Sequence, residues 1–158
     1  NAVKESPRGP SHPDLFILCT SDDSARFAGM AGVGMVFAEF IARRSGAGAV
    51  AAYREAFQPS LFRPAPWAGI ATIAMAADTA EEAERLSALQ PLPRTPGPPD
   101  APGFVRRFLG SGEQVRDYLS AKAEETACDE LFVMAAGPTV PARIRSLELM
   151  AELVSIRS

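Results

Sequence analysis

Three hydroxyl-bearing residues follow the first apolar segment of the chain. Thr20, Ser21 and Ser24 come at the point where the segment that begins at Leu15 ends and a helix is expected to begin. The first turn of a helix has N–H groups without an internal acceptor and the positive end of the helix dipole, so such a turn can bind a phosphate. The same pattern also builds an ordinary capped strand–helix unit. The residues therefore allow either an anion site or a purely structural turn.

A second candidate group lies at the end of the next apolar segment. Glu39 could orient a substrate or a ring nitrogen there, or it could pair with a nearby arginine or cap a helix. Phe40 follows it, and these two residues are the candidates for the wall of a substrate or ring pocket. His12 is the only imidazole, but it lies between Ser11 and Pro13 in a segment expected to be solvent-exposed. The sequence therefore identifies no catalytic residue.

Composition argues against several classes of function. The 158 residues have a net charge of -3 and scattered arginines, which gives no basic surface for nucleic acid. The two cysteines, Cys19 and Cys128, form neither a disulfide framework nor a metal motif. No apolar run is long enough to cross a membrane, and no signal peptide is recognisable. We therefore expect a cytoplasmic protein without a metal centre and without nucleic-acid or membrane partners.

Strand and helix patterns alternate four times behind an extended leader at residues 1–13. The predicted strands are Leu15 to Thr20, Gly34 to Phe40, Trp67 to Ala76 and Glu130 to Ala136. The predicted helices are Ser24 to Ala31, Ala49 to Phe57, Thr79 to Leu89, Ser111 to Ala127 and Val140 to Val154. Asp78 and Ser111 each begin a predicted capping box, and the predicted apolar stripe of the last helix contains Ile144, Leu147, Ala151 and Val154. Six prolines make residues 90–103 a long loop, and Phe104 to Leu109 is ambiguous between a helical turn and an extended piece.

This order predicts an α/β fold with parallel strands and right-handed crossovers. Ligands of such folds bind where the strands end, and Thr20, Ser21, Glu39, Asp78 and Gly137 all lie at predicted carboxyl ends. The folded domain is expected to span residues 14–158.

Four segments, in this order, resemble the bacterial luciferase-like flavin monooxygenases, whose fold is a (β/α)8 barrel. Pro13 to Ala25 is similar to the family's Pro-Glu-apolar-Gly-Ser-Ser-x-x-Ser-Ala segment at the fifth barrel strand, and Met35 to Phe40 resembles the sixth strand. Ile70 to Glu82 resembles the seventh strand and its helix, and Leu109 to Val115 the family's lead into the eighth strand, Glu130 to Ala136. The resemblance thus implies a TIM-barrel-like half barrel, strands 5–8, over residues 14–158.

The resemblance also implies a function. In that family the turn after the fifth strand holds the phosphate of reduced flavin mononucleotide (FMN), which places Thr20, Ser21 and Ser24 at the phosphate. A separate flavin reductase would supply the reduced FMN, and O₂ would oxygenate a small organic substrate. The alternative is a non-catalytic member that binds flavin or completes a barrel. Cys19 in place of the family's glycine, and the carboxylates of Asp22 and Asp23, are departures that weaken the expected phosphate site.

The resemblance leaves the first four barrel strands without a counterpart. Four strands cannot close on themselves, so unpaired backbone groups would be left at both edges. A separate amino-terminal half, a second copy of the chain in a homo-oligomer, or helices repacked over an open sheet could cover them. An unrelated flavodoxin-like module is a third interpretation, and strand order discriminates it from a half barrel.

Overall fold

The structure is a computed structural model that describes residues 13–89 and 108–153, with side chains through Glu152. The strands are β1 (Phe16–Cys19), β2 (Gly34–Ala38), β3 (Ala68–Ala77), β4 (Phe108–Ser111) and β5 (Glu130–Ala135). The helices are α1 (Asp22–Met30), α2 (Glu39–Ala42), α3 (Ala47–Ala56), α4 (Ala80–Ala88), α5 (Gly112–Thr126) and α6 (Val140–Leu153). His12, the rest of the leader up to that residue, the loop at 90–103 and Val154 lie outside the described residues.

All strand pairs are parallel; β1, β2 and β3 are neighbours in chain order, and β4 and β5 both pair with β3. β1 pairs with β2, β2 pairs with the start of β3, and β3 pairs with β5 through residues 69–74 and with β4 through residues 74–77. In a doubly wound sheet the first strand would lie inside the sheet, whereas here it pairs only with β2 among the described residues. The sheet is not closed. The predicted parallel α/β fold, similar to half of a barrel, is confirmed, and the flavodoxin-like order is excluded.

Two elements differ from the predictions. The second strand ends at Ala38, and Glu39 begins the short helix α2, whereas the strand was predicted to continue to Phe40. The structure also has a fifth strand, β4, where the sequence was ambiguous and then predicted a helix from Ser111. A four-residue strand is stabilised mainly by its partner, here the last four residues of β3, so its own sequence says little.

The helix starts follow the capping residues of the sequence. Ser111 and Gln114 form the predicted capping box at α5, and Ser21 and Ser24 form another at α1. At α4 the capping residue is Thr79 rather than the predicted Asp78, because the Thr79 hydroxyl accepts the Glu82 N–H. The Asp78 side chain instead pairs with Arg145.

Helices cover one face of the sheet and leave the other largely open. Side chains alternate between the faces of a strand, and in the first three strands the core face carries Ile17, Cys19, Met35, Phe37, Ala68 and Ile70. The core also contains buried residues of α1 and α3, among them Ala28 and Tyr53. No helix in the described part of the chain is long and apolar enough to cross a membrane.

The packing of α6 differs from its predicted apolar stripe. Ile144 and Leu147 were expected to face the sheet, but both are about half exposed. The side of α6 that meets the sheet carries Met150, and the Ser146 hydroxyl accepts the Ala76 N–H of β3 at 2.9 Å. A backbone N–H of β3 thereby gains a buried partner from the helix, which fixes this face of α6 against the sheet.

Candidate functional site

The turn between β1 and α1 brings Thr20, Ser21 and Ser24 together. Ser21 is the N-cap residue, and its hydroxyl accepts the Ser24 N–H at 3.1 Å. The Ser24 hydroxyl accepts the N–H groups of Ser21 and Thr20 at 3.2 and 3.3 Å and donates to the Ser21 carbonyl at 2.9 Å. Ser21 and Ser24 therefore already serve the helix start, while the exposed Thr20 hydroxyl makes no hydrogen bond within the described residues.

The N-terminus of α1 also offers backbone donors. The N–H groups of Asp22 and Asp23 lie in the first turn, where a helix provides no acceptor. Neither has a backbone acceptor elsewhere in the described residues. The turn thus presents two N–H groups and one hydroxyl, all at the carboxyl end of β1, as a phosphate site requires.

Arg44 offsets part of the negative charge at this turn. Its Nη2 lies 2.7 Å from Asp22 Oδ1, and its guanidinium lies 4.8 Å from the centre of the Phe37 ring. Sequence reasoning did not single out Arg44. Its place shortly after the carboxyl end of the neighbouring strand β2 is the signal that could have found it, because that end is adjacent to the end of β1 in a parallel sheet.

Cys19 lies beneath the turn rather than on its surface. Its side chain is fully buried among core residues, and burial raises the pKa of the thiol. The extra volume of Cys19 relative to glycine is therefore accommodated in the core, and the thiol is not exposed to a ligand at the turn.

Glu39 lies on the helix-covered side of the sheet. The residue is fully buried, its Oε1 accepts the Gly46 N–H at 2.8 Å, and Lys122 Nζ of α5 lies 3.4 Å from the same atom. Phe40 is half-buried in α2. The contacts found for the Glu39 carboxylate are structural, and the role of these two residues as a substrate or ring wall stays a prediction.

Two buried side-chain oxygen atoms of the described residues lack hydrogen-bond partners. Glu39 Oε2 and Thr72 Oγ1 are buried and have no hydrogen bond within the described residues. The β2–β3 register ends with Ala38 facing Ala71, the residues that directly precede Glu39 and Thr72. Lys122 is itself almost completely buried and also contacts Glu125 at 3.0 Å. The stability of the buried Glu39–Lys122 pair therefore depends strongly on each of its few hydrogen bonds.

We expect Glu39→Gln to change how stability depends on pH. Burial raises the pKa of the Glu39 carboxyl above its ordinary 4.5, and the Gly46 hydrogen bond and the charge of Lys122 only partly oppose this. The folded chain then holds this proton more tightly than the unfolded chain. Relative to Glu39→Gln, the wild-type free energy of unfolding should therefore fall as the pH rises above 4.5 and through the raised pKa. Urea unfolding of both proteins from about pH 4 to pH 8 measures this, and a difference that increases with pH would contradict it.

The face of the sheet away from the helices, which we call the open face, carries an aromatic cluster near the amino ends of the strands. The Trp67 ring contacts the Phe16 ring at a centroid distance of 5.0 Å and the Phe132 ring at 6.2 Å. Gly34 and Gly69 lie directly beneath these rings, because a Cβ at either position would come within 3 Å of a ring atom. The rings therefore contact the sheet at these two glycines, on the side away from the helices.

Two open clefts lie at the carboxyl ends of the strands, on either side of Asp78. One of about 290 Å³ is lined by residues including Thr139 and Arg145, and one of about 270 Å³ by residues including Ser111 and Glu152. Asp78 and Arg145 are bonded to each other at 2.5 Å. Neither cleft is lined by Thr20, Ser21 or Ser24.

Comparisons with known proteins agree with this architecture. No protein-family model matches the chain. The uncharacterized protein YwcH of Bacillus subtilis (strain 168) is 35% identical over 72 residues, which are 46% of this chain and 22% of that protein. The crystal structure of apo-MsnO8 matches with a TM-score of 0.82 and 30% identity, over 94% of this chain and 52% of MsnO8.

A structure with bound flavin also matches. It is the oxygenating constituent of 3,6-diketocamphane monooxygenase, a type II Baeyer-Villiger monooxygenase from the CAM plasmid of Pseudomonas putida, in complex with FMN. Its TM-score is 0.63 and its identity 22%, over 92% of this chain and 49% of that one. The chain thus spans about half the length of these two solved structures. The resemblance is confirmed: the chain is a half-length match to the luciferase-like flavin monooxygenases.

Proposed function

We propose that the chain is the FMN phosphate-binding half of a flavin-dependent monooxygenase. The observation that carries the proposal is the turn after β1, where the Thr20 hydroxyl and two first-turn N–H groups of α1 have no partner within the described residues. The similarity to a structure that contains FMN supports the identity of the anion. A cytoplasmic location is part of the proposal.

The residues of the turn fit a phosphate in geometry, and Arg44 offsets the charge of one of the two carboxylates there. Ser21 and Ser24 fix the start of α1 through their mutual hydrogen bonds, so the donors are held in place before a ligand arrives. Arg44 neutralises Asp22 and would reduce its repulsion of a phosphate dianion. Thr20 is the hydroxyl that can turn to the ligand without loss of a helix-capping bond.

When bound, reduced FMN from a separate reductase supplies the reaction with O₂ that oxygenates a small organic substrate. This chain would hold the phosphate and so fix the position of the flavin along the sheet. The apolar open face would border the reaction space and keep water away from it. The covering part of the pocket is not formed by the described residues.

We expect Thr20→Val to weaken FMN binding about tenfold or more, because a hydrogen bond to a charged group contributes roughly 1.5–3 kcal/mol. Titration of reduced FMN into the chain, alone and with a complementary half, measures the dissociation constant by fluorescence. Riboflavin, which has no phosphate, should bind the variant and the wild type equally. The substitution should not destabilise the fold, since the Thr20 side chain is exposed and is not part of the capping box.

Thr20→Ser is the matched control, because it keeps the hydroxyl, and we expect it to bind FMN like the wild type. Absence of FMN binding by the wild-type chain, both alone and with a complementary half, would overturn the proposal. Equal loss of riboflavin affinity in Thr20→Val would show that the residue does not contact the phosphate.

A non-catalytic role is the second candidate, and the carboxylates of Asp22 and Asp23 in the first turn of α1 favour it. A subunit of this kind would bind flavin or complete a barrel without oxygenating a substrate. Product formation with a flavin reductase and a panel of small organic substrates discriminates between the two. Flavin binding without turnover, with the open face covered, would favour the non-catalytic role.

A further inference from the structure

The loop between α2 and α3 carries Arg44, and the two residues that follow Arg44 are bound to carboxylates. The Ser45 hydroxyl donates to Glu125 Oε1 of α5, which is 80 positions away in the chain. The Gly46 N–H donates to Glu39 Oε1 at 2.8 Å. The path of the loop next to Arg44 therefore depends on where these two carboxylates are held.

One buried ammonium group contacts both carboxylates. Lys122 Nζ lies 3.0 Å from Glu125 Oε2 and 3.4 Å from Glu39 Oε1. Hydrogen bonds between charged groups are stronger than neutral ones, and the low polarity of a buried site strengthens them further. We call Lys122, Glu39 and Glu125 the lysine triad. The triad joins α5 to the loop and fixes the positions of the two carboxylates that bind it.

The loop also packs against the ring on which Arg44 lies. The Arg44 guanidinium is 4.8 Å from the centre of the Phe37 ring. A Cβ at Gly46 would come within 3.0 Å of Phe37 Cδ1 and even closer to Ile70, so the loop backbone lies directly on these two side chains. Because Gly46 and Arg44 contact the same ring, a shift of the loop at Gly46 would also displace the guanidinium.

We propose that Lys122 is a positioning residue for the phosphate site and acts on it through the loop and Arg44. Lys122 holds the two carboxylates of the triad, and these hold the loop. At the other end of the loop, Arg44 Nη2 lies 2.7 Å from Asp22 Oδ1 in the first turn of α1. A fixed loop keeps the guanidinium beside Asp22, where it offsets a carboxylate that would repel a phosphate dianion. This role rests on the proposed function, because it takes the turn after β1 as the phosphate site.

The first test compares FMN with riboflavin, which has no phosphate. We define phosphate selectivity as the riboflavin dissociation constant divided by the FMN dissociation constant, both measured by fluorescence titration of the reduced flavins. Lys122→Met should lower this selectivity about tenfold, which is typical of coupling between two sites, and should leave riboflavin affinity unchanged. Arg44→Met should lower the selectivity at least as much, because it removes the compensating charge itself. Wild-type selectivity in Lys122→Met would overturn the proposal.

A double variant tests whether Lys122 acts through Arg44. If it does, Lys122→Met combined with Arg44→Met should have the same selectivity as Arg44→Met alone. A merely structural effect of Lys122 would not depend on Arg44. The proposal would therefore be wrong if the loss in the double variant equalled the product of the two single losses.

Ser45→Ala provides a milder variant, because Lys122→Met is expected to destabilise the fold. It removes the bond between the loop and Glu125 without leaving a buried charge, since the Glu125 side chain is 48% exposed and water can solvate it. Loss of one hydrogen bond should lower the phosphate selectivity about threefold. Ser45→Thr keeps the hydroxyl and should restore the wild-type value. Equal selectivity of Ser45→Ala and the wild type would contradict the proposal even if Lys122→Met does not fold.

Val115→Ala is the matched control for loss of stability. Val115 is also buried on α5, but it packs with Ala74 and Met150 rather than with the loop. This substitution should destabilise the chain by leaving a cavity, yet it should keep the wild-type selectivity. A loss of selectivity in Val115→Ala as large as that in Lys122→Met would overturn the proposal, because any destabilisation of α5 would then have the same effect.

A second readout needs no flavin. The side-chain protons of Arg44 lie near the Phe37 ring, so nuclear magnetic resonance should show a ring-current shift for them. We expect this shift to decrease in Lys122→Met and Ser45→Ala and to persist in Val115→Ala. An unchanged shift in both of the first two variants would overturn the positioning role. Absence of FMN binding by the wild type would instead overturn the proposed function, so the two failures are distinguishable.

Discussion

Lys122→Met is expected to reduce the free energy of unfolding by about 3 kcal/mol at neutral pH, as loss of one partner of a buried ion pair does. Lys122 is 7% exposed and Glu39 is fully buried, so solvent can replace the lost ammonium group only poorly. The Gly46 N–H alone would then face the buried carboxylate. Urea unfolding followed by circular dichroism measures the change.

A second substitution in the same pair isolates the cause. Glu39→Gln combined with Lys122→Met removes both charges and keeps an oxygen that can accept the Gly46 N–H, so the double variant should be more stable than Lys122→Met alone. Arg116→Met is the matched control on the same helix. Arg116 pairs only with its neighbour Asp117 among the residues described and is well exposed, and its loss should cost about 0.5 kcal/mol or less. Equal losses for Lys122→Met and Arg116→Met would contradict the prediction.

Gly29→Ala is expected to destabilise the chain by about 3 kcal/mol, the upper part of the range for overpacking. A Cβ at Gly29 would lie 2.6 Å from the Tyr53 carbonyl oxygen of α3. α3 cannot easily move away, because the buried Tyr53 hydroxyl donates to the Val33 carbonyl and accepts the Trp67 N–H. The methyl group therefore meets backbone that is anchored to two neighbouring segments.

Gly48→Ala supplies the matched control for this substitution. Gly48 is also helical, but a Cβ there meets no atom closer than 3.9 Å, so the variant should gain about 0.5 kcal/mol from the reduced entropy of the unfolded chain. Urea midpoints of the two variants should move in opposite directions. A Gly29→Ala variant as stable as the wild type would show that α1 and α3 can separate without cost.

The parallel strand–helix pattern could be predicted from the sequence, because it depends mainly on signals between neighbouring residues. The capping residues Ser21 and Ser111 and the apolar runs of β1, β3 and β5 are readable from neighbouring residues. β4 and the early end of β2 were not predicted, because both depend on contacts with distant segments. Glu39 starts α2 and bonds to Gly46 and Lys122, whereas its apolar neighbours indicate a strand.

The candidate site shows the same limit. Thr20, Ser21 and Ser24 were found because they are adjacent, and their hydroxyls do lie together. The partner of Asp22 is 22 positions away at Arg44, and no local pattern indicates that pair. Lys122 lies between alanines on α5, where a lysine normally indicates a solvated side, and only the fold shows that it is buried against Glu39.

The central position of β3 has a consequence for the order in which the molecule folds. β2, β4 and β5 all pair with residues 68–77, and the bond from the Ala68 N–H to Asp129 joins residues 61 positions apart. Distant pairings form late, because a long loop must first close. We therefore expect β1, α1 and β2 to assemble early. Pairing of the carboxyl-terminal third of the chain with β3 should then limit the folding rate.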